Sequence, residues 1–391
     1  MDDCQNEKCK KIAKHIDKIQ LESFNDGIAV YQSLELVRTR QFARGCGHWL
    51  SLCAPKIYEQ SLCLDNGKEL AMAPRRGGPA MAETVHIPIL VRPMVEAFRL
   101  TAGRAFLDGT VGGGGHSRAI LKEFPTARLW AMDVDGEAIG RTKLTLPSDR
   151  VTFAKDNFRN LDKLNQKSFD GIIFDLGVSS DQLDNFERGF SFRGDGPLDM
   201  RMNRNGGMSA AEFLETASRE DIVRAIRDYG EEPHWRKVVD AIISERGSGK
   251  LLRTASFADL MHRVLPASYR MKIDSATRVF QGIRIAVNDE LNALDEALSK
   301  AFSALNPGGA LAVLAFHSLE DRLVKRSFRL WSGMAVDRFD GRYADQREAV
   351  GWMQSAKPLV PDAEEIRSNP RSRSAKLRIF FKFPAANVEG K

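Results

Sequence analysis

Ala105-Phe106-Leu107-Asp108-Gly109-Thr110-Val111-Gly112-Gly113-Gly114-Gly115-His116 is the stretch that decides the fold. A short apolar run ends in an aspartate, a glycine-rich turn follows, and residues 117–121 read as the start of a helix. Glycine lets the backbone approach a ligand closely and takes positive φ where a turn needs it. A helix N-terminus just beyond adds unpaired N–H groups. The pattern is a strand–loop–helix nucleotide cradle, of which three kinds need separating. A triphosphate loop would end in Gly-Lys-Ser/Thr, but His116 follows Gly115. The dinucleotide pattern G-x-G-x-x-G is met only loosely. An S-adenosylmethionine (SAM) loop has an acid at the end of its first strand, and Asp108 stands there.

Downstream the order of elements is α/β. Apolar runs at 104–107, 127–132, 150–154, 169–174 and 311–316 read as strands, with helical stretches at 117–124 and 136–144. Strands alternating with helices predict a doubly wound sheet, whose ligands bind beyond the carboxyl ends of the strands. The loops there are informative. Asp133 closes the second strand, where a carboxylate can accept both ribose hydroxyls or, more plainly, cap a helix. Lys155-Asp156-Asn157-Phe158 follows the third. Asp156 could accept from an adenine amino group and Phe158 could pack on the ring or in the core. NAD fits much of the same outline.

Between the fourth and fifth strands lie capping-box patterns, Ser209-Ala210-Ala211-Glu212 and Ser218-Arg219-Glu220-Asp221, and helical periodicity at 222–229, 235–243 and 257–265. This predicts a helical insertion over 200–272, between segments 81–199 and 273–391. Its cations are Arg224, Arg227, Arg236, Lys237, Arg246, Lys250, Arg253, Arg263, Arg270 and Lys272. They form either a solvated face or a nucleic-acid contact.

The 391 residues suffice for two modest domains, or one with an insertion. A hydrophobic fraction of 43% supports a core, and no apolar run approaches a membrane span. The polar start resembles no signal or transit peptide, so a cytoplasmic location is expected. A net charge of +6 fits a nucleic-acid partner without demanding one. All five cysteines lie between Cys4 and Cys63. Their spacing matches no zinc pattern, so no metal site is expected. Residues 1–80 differ in character from the rest, with a basic amphipathic helix expected over 8–24 and a Pro/Gly/Arg linker over 73–79. The functional protein is expected to begin near Met81, with 1–80 an extension.

Longer motifs sit in the same loops: Asp-Leu-Gly-Val-Ser-Ser (175–180), Gln-Leu-Asp (182–184), Glu-Arg-Gly-Phe-Ser-Phe (187–192), Gly-Pro-Leu-Asp-Met-Arg-Met (196–202), Thr-Arg-x-Phe-Gln (277–281), Phe-His-Ser-Leu-Glu-Asp-Arg (316–322) and Asn-Pro-Arg-Ser-Arg-Ser (369–374). With the glycine loop they make eight ordered motifs, which together resemble the ribosomal RNA small subunit methyltransferase H family over 81–391. The resemblance implies a class I SAM-dependent fold. It implies methylation of N4 of one cytosine in the decoding region of 16S rRNA, within the small ribosomal subunit. It also implies SAM contacts from Gly114, Gly115, His116, Asp133, Phe158, Asp175 and Gln182.

The residue chemistry agrees on one point. Methylating C5 of a pyrimidine generally uses a covalent cysteine adduct, and residues 64–391 contain no cysteine. Methylating an exocyclic nitrogen needs mainly positioning. Asp175 is expected to face the transferring methyl, Ser179 or Ser180 to orient the amine, and His317 either to accept a proton or to cap the strand end. Phe190 or Phe192 could stack on a displaced base or lie buried under the loop. Open alternatives are another methyl acceptor and a binding factor that uses SAM only as a structural ligand.

Overall fold

The computed structural model describes residues 88–266, 274–337, 339–340 and 347–384. The expected helix over 8–24, the linker, the cysteines, Met81, Arg270 and Lys272 lie outside these residues.

Seven strands form one sheet: β1 (Ala105–Asp108), β2 (Arg128–Asp133), β3 (Val151–Lys155), β4 (Phe169–Asp175), β5 (Leu305–Ala315), β6 (Gly351–Met353) and β7 (Lys376–Lys382), in the order β3-β2-β1-β4-β5-β7-β6. The first five run parallel, while β7 lies antiparallel to both β5 and β6. The turn-like stretch Asn306-Pro307-Gly308-Gly309, ahead of the apolar run at 311–316, lies inside β5. Leu305 pairs with Phe169, the next match is Ala310 with Gly171, and the intervening residues form a bulge.

Alternate residues of each strand enter different cores, as the two-residue period requires. Phe106, Leu129, Ala131, Ile173, Ala312 and Leu314 face one side of the sheet. Leu107, Trp130, Met132, Ile172, Phe174, Leu311 and Val313 face the other. Burial on both faces explains why β4 is nearly all apolar. The first side is covered by α1 (Val91–Phe98), α2 (Gly115–Glu123) and α3 (Gly136–Thr145). A helix at Ser180–Asp184, here α4, follows β4.

Helices then build a third core: α5 (Ala210–Thr216), α6 (Arg219–Val223) with a wider turn through Tyr229, α7 (Trp235–Ser244), α8 (Thr254–Val264) and α9 (Ala276–Asn288). Ser209 and Glu212 form the expected reciprocal cap, and Ser218 caps α6. This core also takes in Phe190, Leu198 and Met200 from the loop after α4 and Val279, Phe280 and Ile283 from α9, so it is wider than 200–272. The sheet's second face is covered by α10 (Glu290–Ala304) and α11 (Ser318–Trp331). In α10, Leu294, Ala297, Leu298 and Ala301 make the stripe at helical spacing that meets the sheet.

Strand order reverses between β1 and β4, which opens a crevice at their carboxyl ends. Asp108 and Asp175 close those two strands.

Candidate active site at the carboxyl end of the sheet

A cavity of about 1700 Å³ occupies this crevice. Typical small-molecule pockets hold roughly 300–1,000 Å³, so there is room for more than one bound group. One end is the glycine loop. Gly109 has to be glycine because a Cβ there would come within 2.5 Å of the Phe174 ring. Gly114 takes φ +75°, and a Cβ on it would meet Thr142 at 2.5 Å. Gly109, Gly112, Gly113 and Gly115 line the cavity. Gly114 does not line it. It stands outside as the turn residue preceding α2 and donates its N–H to Val111 O.

Three carboxylates organise this end. Asp108 is buried and accepts from Ser117 Oγ (2.6 Å) and Thr110 N (3.2 Å). Asp133 accepts from Gly112 N through Oδ2 and from Asp135 N through Oδ1, both at 2.8 Å. It therefore ties the glycine loop to the turn after β2 while lining the cavity. Burial pushes its pKa up to about 6, against the lowering effect of those two backbone bonds. Asp175 also lines the cavity, and its N–H donates to Thr110 Oγ1 at 2.6 Å. His116 lies behind it, with Nδ1 3.4 Å from Asp175 Oδ2 and Nε2 2.9 Å from Ile89 O.

Phe158 lines the cavity and packs on Phe174, with ring centroids 5.2 Å apart. Asp156 does not face the cavity. Its Oδ1 accepts from Asn157 N and Asn160 Nδ2, and Asn157 lines the wall instead. Ser179 and Gln182 form a reciprocal cap on α4. Gln182 Nε2 also donates to Asp135 Oδ2 at 2.9 Å.

His317 stands apart from the other expected site residues. It is the cap of α11, where Nδ1 accepts from Glu320 N at 3.4 Å and the Glu320 carboxylate accepts in return from the N–H groups of Phe316 and His317. The ring is buried and does not line the cavity, so the structure places it as a helix cap. One ligand atom each from Glu290, His317 and Glu320 lies within 4.8 Å of the others. Arg284 already supplies a cation there, donating through Nε and Nη2 to the two Glu290 oxygens at 2.8 and 2.9 Å.

Sequence reasoning missed the buried pair between Arg188 and Asp135, 2.8 Å apart with both side chains about 95% covered. Burial alone would raise the Asp135 pKa, but bonds from Arg188 and Gln182 leave it lowered. Arg188 also donates to the carbonyls of Arg201 and Met202, fastening the cradle to the loop before α5. An arginine inside the Glu-Arg-Gly motif was the available signal. Likewise Arg371 pairs with Asp184 through both nitrogens, joining the late basic turn to the end of α4.

The same cavity is lined by Phe190, Phe192 and Phe316 and by Arg193, Arg371 and Arg373. Phe190 belongs to the third core, and Phe192 packs on Phe280 at 4.8 Å, so both rings are held firmly while lining the cavity. The cations of 200–272 are mostly spent within the fold. Arg224 pairs with Asp221, Arg227 with Asp228, Lys250 with Glu245 and Arg253 with Asp195. Arg246 donates to the carbonyls of Leu214 and Ala217.

Five parallel strands followed by an inserted antiparallel β7, with a glycine loop after β1 and acids closing β1, β2 and β4, define a class I SAM-dependent methyltransferase. The chain belongs to the MraW methylase family, whose model matches residues 83–383. Curated relatives are similar over nearly their whole lengths. A protein of Heliobacterium modesticaldum named ribosomal RNA small subunit methyltransferase H is 43% identical, across 75% of this chain and 97% of its own. One of Cyanothece sp. with the same name is 44% identical, across 76% and 94%. A third, of Xanthomonas campestris, is 42% identical, across 78% and 89%.

Proposed function

We propose that the protein methylates N4 of a single cytosine in the decoding region of 16S rRNA, acting on the small ribosomal subunit in the cytoplasm. The observation that carries this reading is that one cavity is lined both by the carboxylate-rich glycine cradle and by aromatics and arginines. The relatives' names supply the ribosomal RNA.

The cradle suits SAM in its donor set. Asp133 would accept the ribose hydroxyls, and Phe158 with Asn157 would border the adenine. Asp175, His116, Gln182 and the loop at Gly112, Gly113 and Gly115 would hold the remainder, with Gly114 shaping that loop from outside the cavity. When bound, SAM supplies an electrophilic methyl group on a sulfonium. The protein's own work is then alignment and proton removal. Ser179 accepts the cap bond from Gln182 N and keeps its O–H free to donate. It would orient the incoming amine. Asp175 would accept an amino hydrogen, since the ring of His317 is occupied elsewhere. Phe190 or Phe192 would stack on the displaced base, and Arg193 and Arg373 would meet its flanking phosphates. The helical layer over 200–272 would serve as the wall that shapes this entrance.

The test is transfer of labelled methyl from SAM to small subunits lacking the modification, beside free 16S rRNA, with digestion to nucleosides. N4-methylcytidine at one site is expected from the subunits. SAM binding with no methylated nucleoside from either substrate overturns the reading. An Asp175→Asn variant that still binds SAM but has lost transfer excludes a purely structural use of the cofactor.

A further inference from the structure

The ring of His116 is 6% exposed, and each of its nitrogens faces an acceptor. Nε2 meets the carbonyl of Ile89 at 2.9 Å, and Nδ1 meets Oδ2 of Asp175 at 3.4 Å. A carbonyl oxygen never donates, and an ionised carboxylate only accepts. A neutral imidazole carries a single N–H and would set a lone pair against one of these oxygens. Only the imidazolium donates to both. The charged groups around the ring are acidic. Asp175 reaches it from the end of β4, and Asp108 acts on it from the end of β1. Burial alone would lower the pKa, but the bond to Asp175, its charge and that of Asp108 push it up to about 9.

Asp175 is thereby divided between two tasks. Oδ2 faces His116, and among the described residues Oδ1 has no protein partner, although the side chain lines the cavity. We propose that His116 is a positioning residue: a buried imidazolium that grips Asp175 by one oxygen, presents the other to the bound ligand, and pins the segment at Ile89 against the cradle. The ligand half of this proposal rests on the reading of the cavity as a SAM site; the protonation half does not.

Two measurements on the full chain test it. The first is the imidazole spectrum of ligand-free, nitrogen-15 histidine-labelled protein from pH 6 to 10. The His116 signal is identified among the seven histidines by its loss in His116→Asn. Both nitrogens should remain protonated at pH 8, and the ring should lose a single proton near pH 9. A neutral ring at pH 8 overturns the proposal, and loss of the same signal in His116→Gln secures its identification should His116→Asn fold poorly. The second is SAM affinity across the cycle of wild type, His116→Asn, Asp175→Asn and the double variant. His116→Asn should weaken SAM about tenfold in the wild-type background and less than about twofold once Asp175 is gone. A tenfold loss in both backgrounds shows that the ring acts independently of Asp175 and overturns the positioning role. A protonated ring in a wild-type protein that binds no SAM refutes the ligand half through the cofactor reading, and leaves the protonation half supported.

Discussion

The cradle at the sheet edge and the helical layer beside it use charge in opposite ways. In the cradle, Asp108, Asp133 and Asp175 lie at strand ends, within or beside a cavity, with burial raising the first two and a histidine behind the third. In the helical layer the cations are more numerous, yet Arg224, Arg227, Lys250 and Arg253 each face a nearby carboxylate and Arg246 is bound to two carbonyls. Counting cations in a segment therefore says little about which are available to a ligand. Placement against a cavity decides it.

The sharpest way to separate the two regions is to damage each core-bound feature in turn. Arg188→Ala leaves Asp135 buried without its cation, and removing one partner of a buried pair costs about 3–5 kcal/mol. Thermal unfolding should show that loss, and SAM affinity should fall with it because Asp135 also holds Gln182. Phe257→Ala in the third core should cost a similar ~3–5 kcal/mol through the cavity it leaves. Below its unfolding transition, however, SAM affinity should stay within about twofold of wild type, because Phe257 meets the cavity wall through the Phe280 ring and takes no part in the bonds of Asp133, Asp135 and Gln182. If Phe257→Ala weakens SAM as much as Arg188→Ala does, the two regions are one coupled unit and the comparison breaks.

The same contrast explains what could be read from the sequence. The strands were legible because burial on both faces makes runs such as 169–174 almost wholly apolar, and the glycine loop because a Cβ at Gly109 or Gly114 has no room. The acids at strand ends followed from topology alone. Side-chain commitments were not legible. Nothing in the sequence separates Asp156, turned toward Asn157 and Asn160, from Asp133, which lines the cavity. His317 and His116 both follow strand ends, yet one caps a helix and the other sits behind Asp175. The pairs joining Arg188 to Asp135 and Arg371 to Asp184 span 53 and 187 residues, far beyond any local pattern.

Within the cradle, Asp133 offers a test of intermediate size. Its carboxyl titrates at about 6 because burial disfavours the charge. Above that pH it is ionised and would accept from the ribose hydroxyls of bound SAM; as pH falls through 6 it gains a proton and loses acceptor capacity. SAM affinity should therefore decline from pH 7 to pH 5. Asp133→Asn should weaken binding about tenfold at pH 7, the scale of one charged hydrogen bond, and should flatten that decline. A decline that persists unchanged in the variant assigns it to another group.

The smallest expected effect bears on the arginines. Arg193 and Arg373 line the cavity, and the charge of Arg193 also reaches Asp184. Arg224 is paired with Asp221, but its side chain is 57% exposed and so is the partner's at 46%. An exposed pair is worth about 0–1 kcal/mol, so pairing alone would not keep Arg224 from a phosphate. What separates it is position, since it does not line the cavity. Each of Arg193→Ala and Arg373→Ala should weaken subunit binding about two- to fivefold and lower the slope of log affinity against log salt by about 1, the loss of one phosphate contact. Arg224→Ala should change that slope by less than about 0.3 on the same scale. A slope that drops for Arg224→Ala and holds for Arg373→Ala would place the RNA on the helical layer instead of at the cavity mouth, and would reverse the assignment of charge between the two regions.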